Sequence, residues 1–146
     1  MEIQYMTAEH VPAVARLETI CFPDPWSENS IAEELDNPLS LWLVAIESRE
    51  VLGYVGSQAV LDAADIMNVA VAPEHRRRGI ARLLLLQLEE EMRQRDVSSL
   101  TLEVRSSNLT AQALYEGLGY REVGRRPNYY RKPREDALIL RKEWEL

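Results

Sequence analysis

Ile66-Met67-Asn68-Val69-Ala70-Val71 is followed, after Ala72-Pro73-Glu74-His75, by Arg76-Arg77-Arg78-Gly79-Ile80-Ala81 and then by a run from Arg82 to Arg95. The first stretch is apolar and short enough for a buried strand. In the last, Leu84, Leu85, Leu88 and Met92 recur at helical spacing, so the run predicts an amphipathic helix. A strand, a tight turn bearing glycine and a helix start together aim several backbone N–H groups at one spot. The helix macrodipole adds partial positive charge there, and three arginines add formal charge beside it. The physical product is a cradle for a pyrophosphate, contributed by Arg76, Arg77, Arg78, Gly79, Ile80, Ala81 and Arg82. The loop has neither the Gly-Lys-Ser/Thr ending of a triphosphate loop nor the closely spaced glycines of a dinucleotide fold. Its spacing therefore points to a pyrophosphate-bearing carrier. A basic helix entrance that merely faces solvent is the competing reading, and the position between strand and helix weighs against it.

The rest of the chain bounds what such a cradle can serve. A length of 146 residues suits one domain, 1–146, with one core. The hydrophobic share, 46%, is that of an ordinary globular protein. No apolar run approaches the roughly 20 residues that span a bilayer, and Met1-Glu2-Ile3-Gln4-Tyr5 does not open like a secretory signal. The single cysteine, Cys21, has no internal disulfide partner, so a reducing, cytoplasmic setting is expected. No membrane contact is expected. The net charge of −7 argues against direct nucleic-acid binding and suits a basic peptide as partner. No grouping of His, Cys and carboxylates has metal-ligand spacing. His75 reads as a loop histidine, and Glu89-Glu90-Glu91 as a solvated helix face.

Outward from the central motif, the pattern predicts a mixed α/β sandwich around a central sheet. Ile3 and Tyr5 mark a first strand. Thr7 caps a helix through about Cys21, with Val11, Val14, Leu17, Glu18 and Cys21 at helical spacing. Pro23-Asp24-Pro25 breaks it, Ser27 caps a second helix and Asn37-Pro38 stops that one. Leu41–Ile46, Val51–Leu61 and Ala64–Val71 read as strands of a meander. Leu100–Val104 is a further strand, Asn108 or Thr110 caps a helix through Leu118, and Gly119 suits the position after it. Tyr120–Arg125 and Ala137–Leu140 complete the sheet.

A second motif follows the first: Glu103-Val104-Arg105-Ser106-Ser107-Asn108, then Ala111, Leu114-Tyr115 and Gly117-Leu118-Gly119-Tyr120. With the loop at Arg76–Ala81, it resembles the Gcn5-related N-acetyltransferase (GNAT) superfamily. Pro25-Trp26-Ser27, Arg126-x-Asn128-Tyr129-Tyr130 and Glu135-Asp136-Ala137 extend the resemblance over nearly the whole chain, to the RimI-type branch of bacterial ribosomal-protein-alanine N-acetyltransferases. The fold this implies is α/β: a mixed central sheet with an antiparallel N-terminal meander and a parallel pair splayed at the cofactor site, flanked by helices.

The resemblance also implies roles. Acetyl-CoA is the acetyl donor, and the acceptor is the N-terminal segment of a basic ribosomal protein, the eighteenth of the small subunit. Glu103 is the general base, acting through water, and Tyr115 donates to the coenzyme A sulfur. Val69, Ala70 and Val71 offer main-chain groups to the pantetheine arm, and Asn108 both caps its helix and reaches that arm. A carboxylate in water titrates at about 4.3 and is a weak base, so the role calls for partial burial of Glu103. By residue type alone, Glu103 could simply pair with Arg105 or Arg82, and Tyr115 could be a core tyrosine. Trp26, Tyr129 and Tyr130 could wall an acceptor groove or fill a core. The short segment Arg131-Lys132-Pro133-Arg134 is expected at the acceptor edge. Two further functions stay open: acetylation of a small-molecule amine or lysine side chain, and acetyl-CoA sensing without turnover.

Overall fold

The computed structural model describes residues 1–146. The chain runs β1 (Glu2–Tyr5), α1 (Val11–Cys21), α2 (Glu28–Glu34), β2 (Ser40–Glu47), β3 (Glu50–Val60), β4 (Ala63–Val71), α3 (Ile80–Gln94), β5 (Ser99–Arg105), α4 (Leu109–Gly117), β6 (Arg121–Arg131) and β7 (Arg134–Glu143). Short 3-10 turns at Ala8–His10 and Pro73–His75 precede α1 and α3. The seven strands form one sheet in the order β1-β2-β3-β4-β5-β7-β6. No helix is long and apolar enough to cross a membrane.

β1 to β4 pair antiparallel, as the meander predicts. β4 and β5 are parallel, but they pair only at Ala63–Ser99, Ala64–Leu100 and Asp65–Thr101. Beyond Asp65 they part, and the opening between them positions everything described below. The mixed sheet, its splayed parallel pair and its flanking helices match the expected architecture.

The sheet carries a core on each face. The larger holds 22 buried residues, among them Leu84, Leu85, Leu88 and Met92 of α3 and Leu100, Leu102 and Val104 of β5. The smaller holds 10, with Val11, Val14 and Leu17 of α1 against Trp42, Val44 and Tyr54 of the sheet. Leu84 and Leu88 are fully buried; truncating such a side chain to alanine typically costs about 2–5 kcal/mol.

Strand β4 changes face part-way. Gly56 pairs with Asn68 but Ser57 with Ile66, so Met67 is the extra residue of a β-bulge. Ala64 and Ile66 point into the larger core, and so do Val69 and Val71, which have the opposite parity. The bulge thereby turns Asn68 toward α1, where its side chain meets Glu18. No periodicity rule reveals this shift from the sequence.

The C-terminal strands are longer than expected. Instead of Tyr120–Arg125 and Ala137–Leu140, the hairpin runs out to Arg131 and Arg134. β6 is an edge strand with nearly every residue exposed. It therefore lacks the alternation that marks a half-buried strand, and its pairing slips at Glu122/Gly124 and Arg126/Tyr130. The α3 acidic run also differs from expectation. Glu89 bonds Arg93 and Lys142, and Glu91 bonds Arg95 and the Tyr5 hydroxyl. Only about 15% of either side chain is exposed, because β1 and β7 bring partners over the helix face.

Candidate active site

At the end of β4, α3 begins with Gly79 in the left-handed region, φ +76°. No side chain caps the helix, and Leu83 N–H is the first to bond back to Gly79, at 3.1 Å. The N–H groups of Ile80, Ala81 and Arg82 therefore have no intrahelical partner and aim outward. A Cβ built at Gly79 would meet nothing within 4 Å, so the space before these amides is clear. The three arginines do not converge on it. Arg77 is itself left-handed, φ +64°, which separates the side chains. Arg78 is tied back to Glu47 at 3.1 Å and to His75 Nδ1 at 3.0 Å, and its hydrogen bond holds the Glu47 carboxyl below the usual range. Arg76 Nη2 lies 3.7 Å from Cys21 Sγ. Arg77 and Arg82 are exposed and make neither an ion pair nor a side-chain hydrogen bond, so of the expected arginines these two are free to meet an anion.

Before the loop, β4 runs beside the gap that β5 has left. Ala72 N–H bonds Leu52 on β3 at 2.8 Å, and an antiparallel ladder alternates its bonded pairs. In this register Ala70, opposite Tyr54, turns its main chain to β3. Val69 and Val71 turn theirs to the open side. Of the three expected positions, Val69 and Val71 thus present main-chain groups to the gap, while Ala70 is committed to the sheet.

The gap leads into a cleft of about 630 Å³. Val69, Glu103, Asn108 and Tyr115 line it together; Arg76–Arg82 lie outside, at its β4 end. Glu103 reaches it by the period of β5: Leu102 and Val104 are buried in the larger core, so Glu103 faces the other way. Its side chain is 26% exposed and pairs with Arg126 Nε at 3.3 Å, not with Arg105 or Arg82.

Tyr115 arrives from the opposite face. Asn108 accepts from Ala111 N–H at 3.1 Å and caps α4. The helix ends in a Schellman motif: Gly119 is left-handed, φ +98°, its N–H bonds Glu116, and Tyr120 N–H bonds Tyr115. The rings of Tyr120 and Tyr115 then meet edge to face at 5.5 Å. One glycine after the helix thus fixes the orientation of Tyr115. Burial first, then the neighbouring Tyr130, pushes the Tyr115 phenol well above its usual value. Across the neutral range it stays a hydrogen-bond donor.

The cleft's remaining walls are the α1–α2 loop and the β6–β7 hairpin, with Trp26, Tyr129 and Tyr130 among the lining residues. Tyr129 is 48% exposed, so the tyrosine pair walls the cleft and does not fill a core. Lys132 of the expected edge segment lines it too.

The acetyltransferase (GNAT) family matches residues 11–120. The chain belongs to the GNAT acetyltransferase family. The ribosomal protein bS18-alanine N-acetyltransferase of Escherichia coli K12 is 38% identical over 141 residues, 94% of each chain. The crystal structure of the ribosomal-protein-S18-alanine N-acetyltransferase from Escherichia coli superposes with a TM-score of 0.91 at 35% identity, covering 99% of this chain and 94% of that one. An aminoglycoside 6′-N-acetyltransferase complexed with coenzyme A shares the fold at 19% identity, with a TM-score of 0.84 over 98% and 97% of the two chains.

Acetyl-CoA is the acetyl donor of GNAT enzymes, and the residues present fit it: uncapped amides before open space suit a diphosphate, and the free edge of β4 suits a chain of amides. Some parts of this acetyltransferase escape a reading of its sequence. Glu18 and Tyr54, both buried, form a polar group with Asn68, which is half-buried and lines the cleft. Arg105 and Glu135 join the β5–α4 junction to the hairpin tip. Glu18 had one signal, a carboxylate within the apolar stripe of α1; its partners had none. Glu50, Glu74 and His75 bring ligand-type atoms within 4.8 Å at the surface, a grouping that chain spacing does not reveal.

Proposed function

We propose that residues 1–146 are one acetyltransferase domain that works in the cytoplasm on a protein N-terminus. The acceptor is the α-amine of an N-terminal alanine, and the protein carrying it is the bS18-type ribosomal protein that names the similar E. coli enzyme. The observation that carries this reading is the meeting of Glu103 and Tyr115 in one cleft where β4 and β5 part. The net charge of −7 favours a basic peptide over long range.

Ile80, Ala81 and Arg82 hold the diphosphate of the donor with their N–H groups, with Arg77 and Arg82 adding charge. Val69 and Val71 pair with its amide-bearing arm, and Asn108 closes on the arm from α4. Bound acetyl-CoA supplies an acetyl group activated as a thioester. An α-amine titrates at roughly 8 and a lysine amine at about 10.4, so a protein N-terminus asks less of the base. Glu103, a quarter exposed, receives the amine's proton through water once the exposed Arg126 gives way. A β4 main-chain N–H, at Val69, polarises the thioester carbonyl. The Tyr115 hydroxyl meets charge developing on the leaving sulfur.

Mass spectrometry of peptides incubated with enzyme and acetyl-CoA tests this reading. The peptides begin with alanine, serine or methionine, and one has a blocked N-terminus and a free lysine. We expect the acetyl group on the alanine α-amine. Acetylation confined to the lysine peptide overturns the assignment, and coenzyme A binding with no transfer at all marks a sensor.

A further inference from the structure

We propose that Glu18 is a positioning residue for the acceptor: a buried carboxylate that clamps the α1–α2 loop to the bulge of β4 and so sets one wall of the cleft. The proposal rests on the N-terminal acetyltransferase reading and concerns a residue to which that reading gives no part.

Glu18 is 0% exposed and makes no ion pair. Its Oε1 accepts from Trp26 N–H at 2.8 Å and from Asn68 Nδ2 at 3.1 Å. Its Oε2 accepts from the Tyr54 hydroxyl and from Asn68 Nδ2 at 2.9 Å. The protein thus meets it with donors throughout, the arrangement that suits a carboxylate. A buried carboxylate without a cation is costly even when fully hydrogen-bonded, and an apolar residue would fill the same space at less cost. What the carboxylate adds is connection. Trp26 is on the loop after α1, Tyr54 on β3 and Asn68 on β4.

Two of these partners line the cleft. Trp26 and Asn68 both face it, and Asn68 precedes Val69, whose main chain faces the open gap. The loop is held at both ends by the same residue, because Phe22 N–H bonds the Glu18 carbonyl at 2.9 Å. Beyond the backbone, the Trp26 ring meets Trp42 at 5.5 Å, and Trp42 stacks on Tyr54 at 5.9 Å. One carboxylate therefore registers the acceptor wall against the strand that carries the donor. It touches neither Gly79 nor the start of α3.

The test is Glu18→Gln, which keeps the size but sets an NH2 group among donors, so that at least one contact is lost. Hydrogen exchange of residues 22–27 is expected to speed up roughly tenfold, the equivalent of one buried hydrogen bond. The KM for an alanine-initiated peptide should rise by about tenfold, with kcat within about threefold and coenzyme A affinity within about twofold. Unchanged exchange at 22–27, an unchanged peptide KM, or coenzyme A affinity falling in step with peptide KM overturns the proposal. Should Glu18→Gln fail to fold, Tyr54→Phe, which deletes one donor and keeps the ring, decides by the same readings with a smaller expected shift. A wild-type enzyme that acetylates no peptide N-terminus defeats the functional reading instead. The exchange measurement then still decides the clamp.

Discussion

The two sides of the cleft are made of different material. The proposed donor side is main chain: the first amides of α3 and the free edge of β4 beyond Asp65. The proposed acceptor side is side chain: Glu18 holding the α1–α2 loop, and Arg105 with Glu135 holding the hairpin tip. Main-chain groups are present whatever the residue, so the donor side needs only the right backbone path. A side-chain clamp fails with any one of its members. The donor side should therefore tolerate sequence change except where the backbone itself is special, and the acceptor side is where a change of substrate can be built.

Tyr115 stands between the two sides and provides the sharpest test of their separation. Tyr115→Phe keeps the edge-to-face contact with Tyr120 and removes only the hydroxyl. We expect kcat to fall by roughly 100-fold or more, the usual scale for a positioned proton donor, with coenzyme A affinity changed less than about twofold. Single-turnover rates and calorimetry on the same preparation measure both. Undiminished turnover means another group serves the leaving sulfur.

Gly79 is where the donor side depends on its backbone. A valine there would have to hold φ near +76°, which strains a β-branched residue by roughly 1–3 kcal/mol. Its Cβ would also enter the open space before the α3 amides. Gly79→Val is expected to weaken coenzyme A binding by about tenfold or more, while the KM for acceptor peptide stays within about twofold. Unaltered coenzyme A affinity would show that the diphosphate is held elsewhere, and a matching rise in peptide KM would break the division between the sides.

That division also explains what could be read from the chain. The donor side follows from local pattern: the apolar run into Val71, Gly79, and the spacing of Leu84, Leu85, Leu88 and Met92. Gly119 and Asn108 mark the ends of α4 just as locally. The acceptor side is built from residues far apart in sequence, Glu18 with Tyr54 and Asn68 at separations of 36 and 50 and Arg105 with Glu135 at 30. The bulge at Met67, which brings Asn68 to Glu18, is a one-residue slip inside an otherwise regular strand. The outer half of the β6–β7 hairpin is exposed and charged, so it resembles a loop. The arginines at 76–78 mislead in the opposite direction: clustered in sequence, they diverge in space.

The smallest expected effect lies at the hairpin tip and depends on pH. Glu135 accepts Ser107 N–H at 2.6 Å, Ser106 Oγ at 3.2 Å and Arg105 Nη1 at 3.2 Å. Arg105 also donates to the carbonyls of Lys132 and Pro133, each at 2.9 Å, and its guanidinium lies 4.2 Å over the Tyr130 ring. The bonds from Ser107 above all, then those from Arg105 and Ser106, hold the Glu135 carboxyl down at about 2. The folded protein therefore binds this proton less readily than the unfolded chain. The stabilisation is fully present above the ordinary carboxylate value of 4.5 and drains away as pH falls through about 2. An NMR titration should show the Glu135 carboxyl still ionised at about pH 4, where free glutamates are largely protonated. Glu135→Gln should abolish that dependence and raise acceptor KM by about threefold at neutral pH, the scale of one partly exposed ion pair, without moving coenzyme A affinity. A Glu135 that titrates like a free glutamate, or a variant with unchanged acceptor KM, would mean that the hairpin stands over the cleft without this latch, and that Glu18 alone fixes the acceptor side.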